Sequence, residues 1–191
     1  IIIESEEWMS YAKGNIITRR GVLDRAEEKA ERMEDRQINA SEAVGLEAIK
    51  YGSLAVSRSK GIEFSWDRAL SFEGESGPYL QYSNTRARSI LSEADEAGEN
   101  LGTLTEHEKR LVRELAAFPD AVDSSVESLD PVKLASYLSE LCEAFNQFYH
   151  ECPVLQADQK DTGRRLLLVE LFREVTDTGL DLLGIETLDE M

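Results

Sequence analysis

The sequence predicts an all-α helical bundle with a short β and loop segment at its N-terminal end. Two long segments carry apolar residues at alternating steps of three and four, which is the spacing of one helix face packed on neighbouring helices. Capping signals mark several helix starts between short loops. Strand-type residues are confined to Ile1–Ile3 and the neighbourhood of Ile16–Ile17, so strands are expected only there.

Two helices are predicted in the first part of the chain. Residues 22–35 are charged and rich in strong helix formers. Asn39 with Glu42 three positions later resembles a capping box, and the helix that it starts is expected to end near Ser57. Residues 58–77 contain three glycines among aromatic residues, which predicts a structured connection and a boundary between two regions.

A helix is predicted from Pro78 to a stop near Gly98, because proline is favoured in the first helical turn. Tyr79, Tyr82 and Arg86 lie on one face of this helix. The other face carries the positions expected to pack inward, which are Leu80, Asn84, Ala87 and Leu91.

Two shorter helices are expected next. Thr105 and Glu108 form a capping box for a helix that ends near Ala117. A second short helix is predicted to begin at Asp120, after Phe118 and Pro119.

Two long amphipathic helices complete the predicted bundle. The first begins at Asp130–Pro131, and the second runs from about Asp161 to Leu183 with Gly184 as its stop. The inward positions of the first are Leu134, Leu138, Leu141, Phe145 and Phe148. The inward positions of the second are expected to be Leu168, Phe172, Val175, Gly179 and Leu182.

The net charge of the chain, taken alone, argues against a nucleic-acid partner. The chain has 38 acidic and 21 basic residues, and the resulting formal net charge of −17 should repel a polyanion. The acidic residues are spread along the whole chain and arginine outnumbers lysine, which favours adaptation to strong salt. In molar salt the Debye length is about 3 Å, so distant acidic groups no longer oppose a local arginine site.

Several chemistries and locations are not indicated by the sequence. Cys142 and Cys152 fit neither a disulfide framework nor a zinc spacing, even with His150 nearby, so no metal is expected. No nucleophile elbow, phosphate-binding loop, signal peptide or membrane span is recognisable. We therefore expect a soluble, cytoplasmic, monomeric binding module, and the absence of an initiator Met suggests a piece of a longer protein. An acidic scaffold domain without an RNA role stays open as the alternative.

Three ordered motifs then carry a family resemblance. Residues 64–88 read FSWDRALSFEGESGPYLQYSNTRAR, residues 145–155 read FNQFYHECPVL, and residues 179–191 read GLDLLGIETLDEM. Together they resemble the arginyl-tRNA synthetase family over essentially the whole chain. The motif FNQFYH and the C-terminal ending favour this family over the related helical anticodon domain of another synthetase.

The resemblance implies a class I synthetase that joins L-arginine to its tRNA through arginyl-adenylate, using ATP with Mg²⁺. It divides the chain into residues 1–20, a remnant of the catalytic domain; residues 21–72, connecting helices that contact the tRNA stem; and residues 73–191, a helical anticodon-binding domain. Nothing resembles the nucleotide-binding fold of such an enzyme. The chain alone is therefore expected to bind tRNA but no ATP and no DNA, and not to catalyse.

The resemblance also implies the residues that contact tRNA. Unpaired bases are recognised by stacking on aromatic rings and on arginine planes. The tRNA-binding residues are expected to be Tyr79, Tyr82, Arg86, Tyr149, His150, Arg165 and Met191.

A loop near the start resembles the class I signature sequence that contacts ATP in the full enzyme. It carries the expected ATP-binding residues Met9, Ser10, Lys13 and Gly14. Ala12 stands where the family usually has a basic residue, so Lys13 is the candidate for the catalytic phosphate contact.

Overall fold

A computed structural model describes most of the chain beyond residue 40. The described residues are 2–4, 7–8, 24, 41–57, 62–64, 66–94, 102–157 and 159–188. Within these ranges the fold is helical, with one small sheet, as the sequence predicts. The predicted helix at 22–35 and the expected strand near Ile16–Ile17 lie almost wholly outside the described residues.

The small sheet has three strands in the order β2-β1-β3. Strand β1 (Ile2–Glu4) pairs antiparallel with β2 (Glu7–Trp8) and parallel with β3 (Ile62–Phe64), with Ile2 opposite Ile62. Strands β2 and β3 correct the expectation that strands occur only near Ile1–Ile3 and Ile16–Ile17. Strand β3 depends on a partner about 60 residues away in the chain, which local sequence does not reveal.

Three helices lie in the middle of the chain. They are α1 (Ser41–Leu54), the single turn α2 (Trp66–Ala69) and α3 (Gly77–Ser92). The Ser76 side chain accepts a hydrogen bond from the Tyr79 N–H and caps α3, and Pro78 occupies its first turn as predicted. A β-carbon at Gly77 would lie 2.8 Å from the Glu47 carbonyl oxygen, so glycine allows α3 to begin directly against α1.

Two short helices follow, α4 (Glu106–Ala116) and α5 (Phe118–Ser128). The predicted capping box is confirmed, since the Thr105 side chain accepts from the Glu108 N–H and the Glu108 side chain accepts from the Thr105 N–H. Helix α5 begins at Phe118 and not at Asp120. The reason is that Pro119 occupies the first turn of the helix, where its missing N–H is tolerated.

Helices α6 (Val132–Glu151) and α7 (Gln159–Leu182) supply most of the core. All five predicted inward positions of α6, from Leu134 to Phe148, are buried, and Phe145 stacks on Phe172 of α7 with ring centroids 3.8 Å apart. The stripe predicted for α7 is wrong at its end, where Leu182 is 56% exposed and Leu180 and Leu183 are buried instead. A true helix advances 3.6 residues per turn, so a strict three-four pattern drifts off the core after several turns.

Helix α6 packs against α1, α3, α4, α5 and α7, so it is the centre of the bundle. Helix α3 lies against α1, α6 and α7. Because α3 and α6 are neighbours, their outward side chains share one surface. Across the residues described, no helix combines the length and the apolar character needed to cross a bilayer.

Candidate nucleic-acid interface

An arginine from α3 lies over two tyrosine rings on the shared surface of α3 and α6. The Arg86 Cζ atom is 4.6 Å from the centroid of the Tyr82 ring and 5.0 Å from that of the Tyr149 ring. Tyr82 and Tyr149 are 38% and 40% exposed, so both rings remain open to a ligand. We call Tyr82, Arg86 and Tyr149 the Tyr-Arg clamp. It brings together three predicted residues from two separate motifs, Tyr82 and Arg86 from the first and Tyr149 from the second.

A half-buried polar layer lies behind the clamp. The Asn146 Oδ1 atom accepts a hydrogen bond from Arg86 Nη1 at 2.5 Å, and its Nδ2 atom donates to Tyr79 Oη at 3.0 Å. Tyr79 is half-buried against the core, and this burial raises the pKa of its hydroxyl above the ordinary value. Tyr79 therefore supports the clamp from behind and offers less ring surface than Tyr82 or Tyr149.

An open groove of about 350 Å³ adjoins the clamp. Arg86, Tyr149 and the exposed His150 are among its lining residues. The remaining lining residues come from the end of α3 and from the turn after α6, and they are Ser89, Ile90, Glu93, Pro153, Val154, Leu155 and Gln156. The lining mixes apolar with polar side chains, as ligand sites commonly do.

The positive charge of Arg86 is not neutralised by the described part of the chain. Its hydrogen bonds go to the neutral Asn146 Oδ1 and Tyr82 Oη atoms. Arg88, two positions later, instead pairs with Asp177 at 2.7 Å, and Arg173 pairs with the same carboxylate at 3.0 Å. In a chain of net charge −17, Arg86 therefore keeps a free cation for an anionic ligand.

Arg165, predicted to contact tRNA, is not part of this surface. Its Nε atom donates to Glu108 Oε1 at 2.9 Å and its Nη1 atom donates to the Pro153 carbonyl at 2.7 Å. Arg164 donates to the same Glu108 carboxylate at 3.1 Å, and all three side chains are buried. Asp161 is a second carboxylate partner, 2.8 Å from Arg164 and 3.8 Å from Arg165. The two guanidinium charges are therefore met by two carboxylates of the protein itself, so Arg165 has a structural role.

Opposing effects act on the pKa of Glu108. Burial raises it, but the Thr105 N–H and the guanidinium groups of Arg165 and Arg164 together outweigh burial and hold it below its ordinary value. The carboxylate therefore stays ionised in the folded protein.

The remaining predicted site residues lie outside the described residues. They are Met9, Ser10, Lys13, Gly14 and Met191. Residues 186–188 run along α3, since Gln81 Nε2 donates to the Glu186 carbonyl at 2.7 Å and Thr85 Oγ1 donates to the Leu188 carbonyl at 3.1 Å.

Sequence reasoning missed Asn146 and Glu93. Asn146 stands three positions before Tyr149 on the same helix, so its helical spacing could have placed it on the clamp face. Glu93 lines the groove at the end of α3, and in so acidic a chain one carboxylate carries no distinguishing signal.

Neither thiol shows the features of a reactive or metal-binding cysteine. Both are free and buried, and burial raises the pKa of Cys142 to about 12. The residues described bring together no group of three or more His, Cys, Asp and Glu side chains that could hold a metal ion.

Comparison with known proteins agrees with this architecture. The chain matches the family described as the DALR anticodon binding domain over residues 80–191. It is 38% identical to an arginine–tRNA ligase of Haloarcula marismortui, in an alignment that covers 96% of this chain and 36% of that protein. An arginine–tRNA ligase of Halobacterium salinarum is 40% identical, with 96% of this chain and 31% of that protein covered.

A solved structure of an arginyl-tRNA synthetase from Thermus thermophilus superposes with a TM-score of 0.90 at 33% identity. The superposition covers 100% of this chain and 34% of that one. The chain thus spans about a third of the length of the relatives that it matches. The helical fold predicted from the sequence is confirmed.

Proposed function

The chain belongs to the DALR anticodon binding domain family and corresponds to the anticodon-binding part of an arginyl-tRNA synthetase, and on that premise we propose that its Tyr-Arg clamp grips unpaired bases of a tRNA anticodon loop. The observation that carries this proposal is the Arg86 guanidinium held over two exposed tyrosine rings beside an open groove. His150 lies at the same end of α6 and can add a further ring to the surface.

The physical chemistry of the clamp suits single-stranded RNA. Each base that stacks on an aromatic side chain contributes about 1 to 3 kcal/mol, and every base offers such a face. The free cation of Arg86 can meet a phosphate or a base edge. A double helix hides the faces of its bases, so the clamp favours a loop over duplex DNA.

The reaction of the whole protein belongs to the same proposal. The relatives' name, arginine–tRNA ligase, supports a full enzyme that joins L-arginine to tRNA. Its use of ATP with Mg²⁺ and its state as a cytoplasmic monomer belong to the proposal and rest on the resemblance of the sequence motifs. Residues 1–20 would carry the ATP contact of Lys13, residues 21–72 would approach the tRNA stem, and residues 73–191 would hold the anticodon, with Met191 beside the bases. The chain by itself would bind tRNA without charging it.

We also propose that the protein works in strong salt. The net charge of −17 supports this, because self-repulsion destabilises a compact acidic chain and opposes RNA unless ions screen it. Arg86 then acts locally, since only charges within a few ångströms are felt.

A scaffold function without RNA is the second candidate. It is favoured by exposed leucines on the outer face of α7, namely Leu167, Leu171 and Leu182. Such a face could hold another helix, and the same binding experiment separates the two functions.

The test compares binding of arginine tRNA to the wild-type chain, Tyr149→Ala and Tyr149→Phe in molar KCl. Loss of one stacked base predicts that Tyr149→Ala raises Kd by about 5-fold to 150-fold. Tyr149→Phe keeps the ring and should bind like the wild type, so it is the matched control. Equal affinity for all three proteins, or no binding by any, would favour the scaffold.

A further inference from the structure

One side-chain amide connects Arg86 of the clamp to the polar side chains behind it. Asn146, on α6, makes three hydrogen bonds and all of them reach α3: its Oδ1 atom accepts from Arg86, and its Nδ2 atom donates to Tyr79 Oη and to Ser83 Oγ at 2.9 Å. Asn146 lies three positions before Tyr149, so the backbone that holds the amide also carries one ring of the clamp.

The chemistry of the partners allows one orientation of this amide. A guanidinium is a donor only, so the amide oxygen must face Arg86. The Ser83 hydroxyl donates its hydrogen to the Tyr79 carbonyl at 2.9 Å, which leaves its oxygen free to accept from Asn146 Nδ2. The network therefore holds Asn146, and through it Arg86, in a single arrangement.

We propose that Asn146 is a positioning residue of the anticodon surface, which holds the Arg86 guanidinium over the Tyr82 and Tyr149 rings before RNA binds. This inference rests on the proposed function. An arginine side chain has many rotamers, and a ligand that must order it loses affinity in doing so. The amide removes part of that loss in advance.

The neutrality of Asn146 is part of its role. A carboxylate at this position could also hold the guanidinium, but it would cancel the charge that the RNA must meet. Arg88 and Arg173 show that outcome, since both are bound by Asp177. An amide orders Arg86 and leaves its charge available.

The decisive experiment is a double-mutant cycle on tRNA binding with Asn146→Ala, Arg86→Ala and the double variant, each checked for unaltered unfolding. Asn146→Ala alone should raise Kd about 2-fold to 12-fold, which is the effect of freeing one long side chain. In the Arg86→Ala background the same change should have no further effect, because there is no guanidinium left to hold. An equal loss in both backgrounds would show that Asn146 acts only through packing and would overturn the proposal.

An isosteric variant tests the role of charge separately. Asn146→Asp keeps the size of the side chain, and we expect it to weaken binding at least as much as Asn146→Ala. Gln147→Glu, at the exposed neighbouring position, adds the same negative charge outside the network and is the matched control, which should bind like the wild type. Full binding by Asn146→Asp would refute the proposal.

Failure of the proposed function gives a different pattern. If Tyr149→Ala and Arg86→Ala leave tRNA binding unchanged, the clamp is not the RNA surface, and the role of Asn146 falls with it. If those two variants weaken binding and Asn146→Ala does not, the proposed function stands and only the positioning role is refuted.

Discussion

Replacing one buried carboxylate should remove a large fraction of the stability of the bundle. Glu108 is fully buried and accepts hydrogen bonds from Arg164, from Arg165 and, at 2.6 Å, from the Thr105 N–H. Glu108→Gln keeps the size and shape of the side chain but removes the buried one of the two carboxylates that Arg164 and Arg165 share. Only the more exposed Asp161 remains, 2.8 Å from Arg164 and 3.8 Å from Arg165.

The magnitude follows from the burial of the partners. The side chains of Arg164 and Arg165 are 3% and 10% exposed, so water cannot replace the lost carboxylate. Arg164 already has two buried donor atoms, Nε and Nη1, that lack a hydrogen-bond partner in the described structure. Removing one partner of a buried ion pair lowers the free energy of unfolding by about 3 to 5 kcal/mol, because the other charge stays buried. Since domains are stable by about 5 to 15 kcal/mol, Glu108→Gln is expected to remove about a fifth or more of the total.

The assay is urea unfolding followed by circular dichroism in concentrated KCl, where surface charges are screened and buried pairs are not. With a slope of roughly 2 kcal/mol per molar urea, the midpoint should fall by about 1.5 to 2.5 M. Glu106→Gln is the matched control, because Glu106 lies in the same helical turn and pairs with Lys109 but is 80% exposed. Its midpoint should not change. A Glu108→Gln midpoint equal to the wild type, with an unchanged slope, would refute the reasoning.

The same carboxylate makes stability depend on pH. Its folded pKa lies below the ordinary value of 4.5, so its contribution is fully present above that value and is lost as the pH falls through the folded pKa. The difference in unfolding free energy between wild type and Glu108→Gln should therefore shrink in acid. A difference that stays constant down to the lowest pH at which both proteins fold would contradict this assignment.

Two further outcomes are expected from packing and from charge. Gly77→Ala would place a β-carbon 2.8 Å from the Glu47 carbonyl oxygen and 3.2 Å from the Ala48 nitrogen. Because these backbone atoms cannot shift without cost, we expect the free energy of unfolding measured in urea to fall by about 1 to 3 kcal/mol. Ser89→Ala, at an exposed position of the same helix, should unfold like the wild type. Raising KCl from 0.1 to 2 M should increase the unfolding midpoint of a chain with net charge −17, and full stability in dilute buffer would defeat the salt proposal.

Local signals in the sequence determined most of the helical architecture. The capping box of Thr105 and Glu108, the proline at position 78 and the apolar stripe from Leu134 to Phe148 were predicted as the structure has them. These features depend on residues within one or two helical turns of each other, so a short segment of sequence contains all the residues that determine them. The family resemblance likewise rested on three short, ordered motifs that can be read directly from the sequence.

Only the tertiary structure decided which charged and polar side chains face a ligand. Arg86 and Arg165 are the same residue type in equally helical contexts, yet Arg165 is neutralised by Glu108, 57 positions earlier, and Arg86 is held by the neutral Asn146, 60 positions later. Strand β3 likewise depends on a distant partner. A guanidinium binds whichever carboxylate or amide the fold brings within about 3 Å, and that distance is set by the packing of whole helices, which no local pattern encodes.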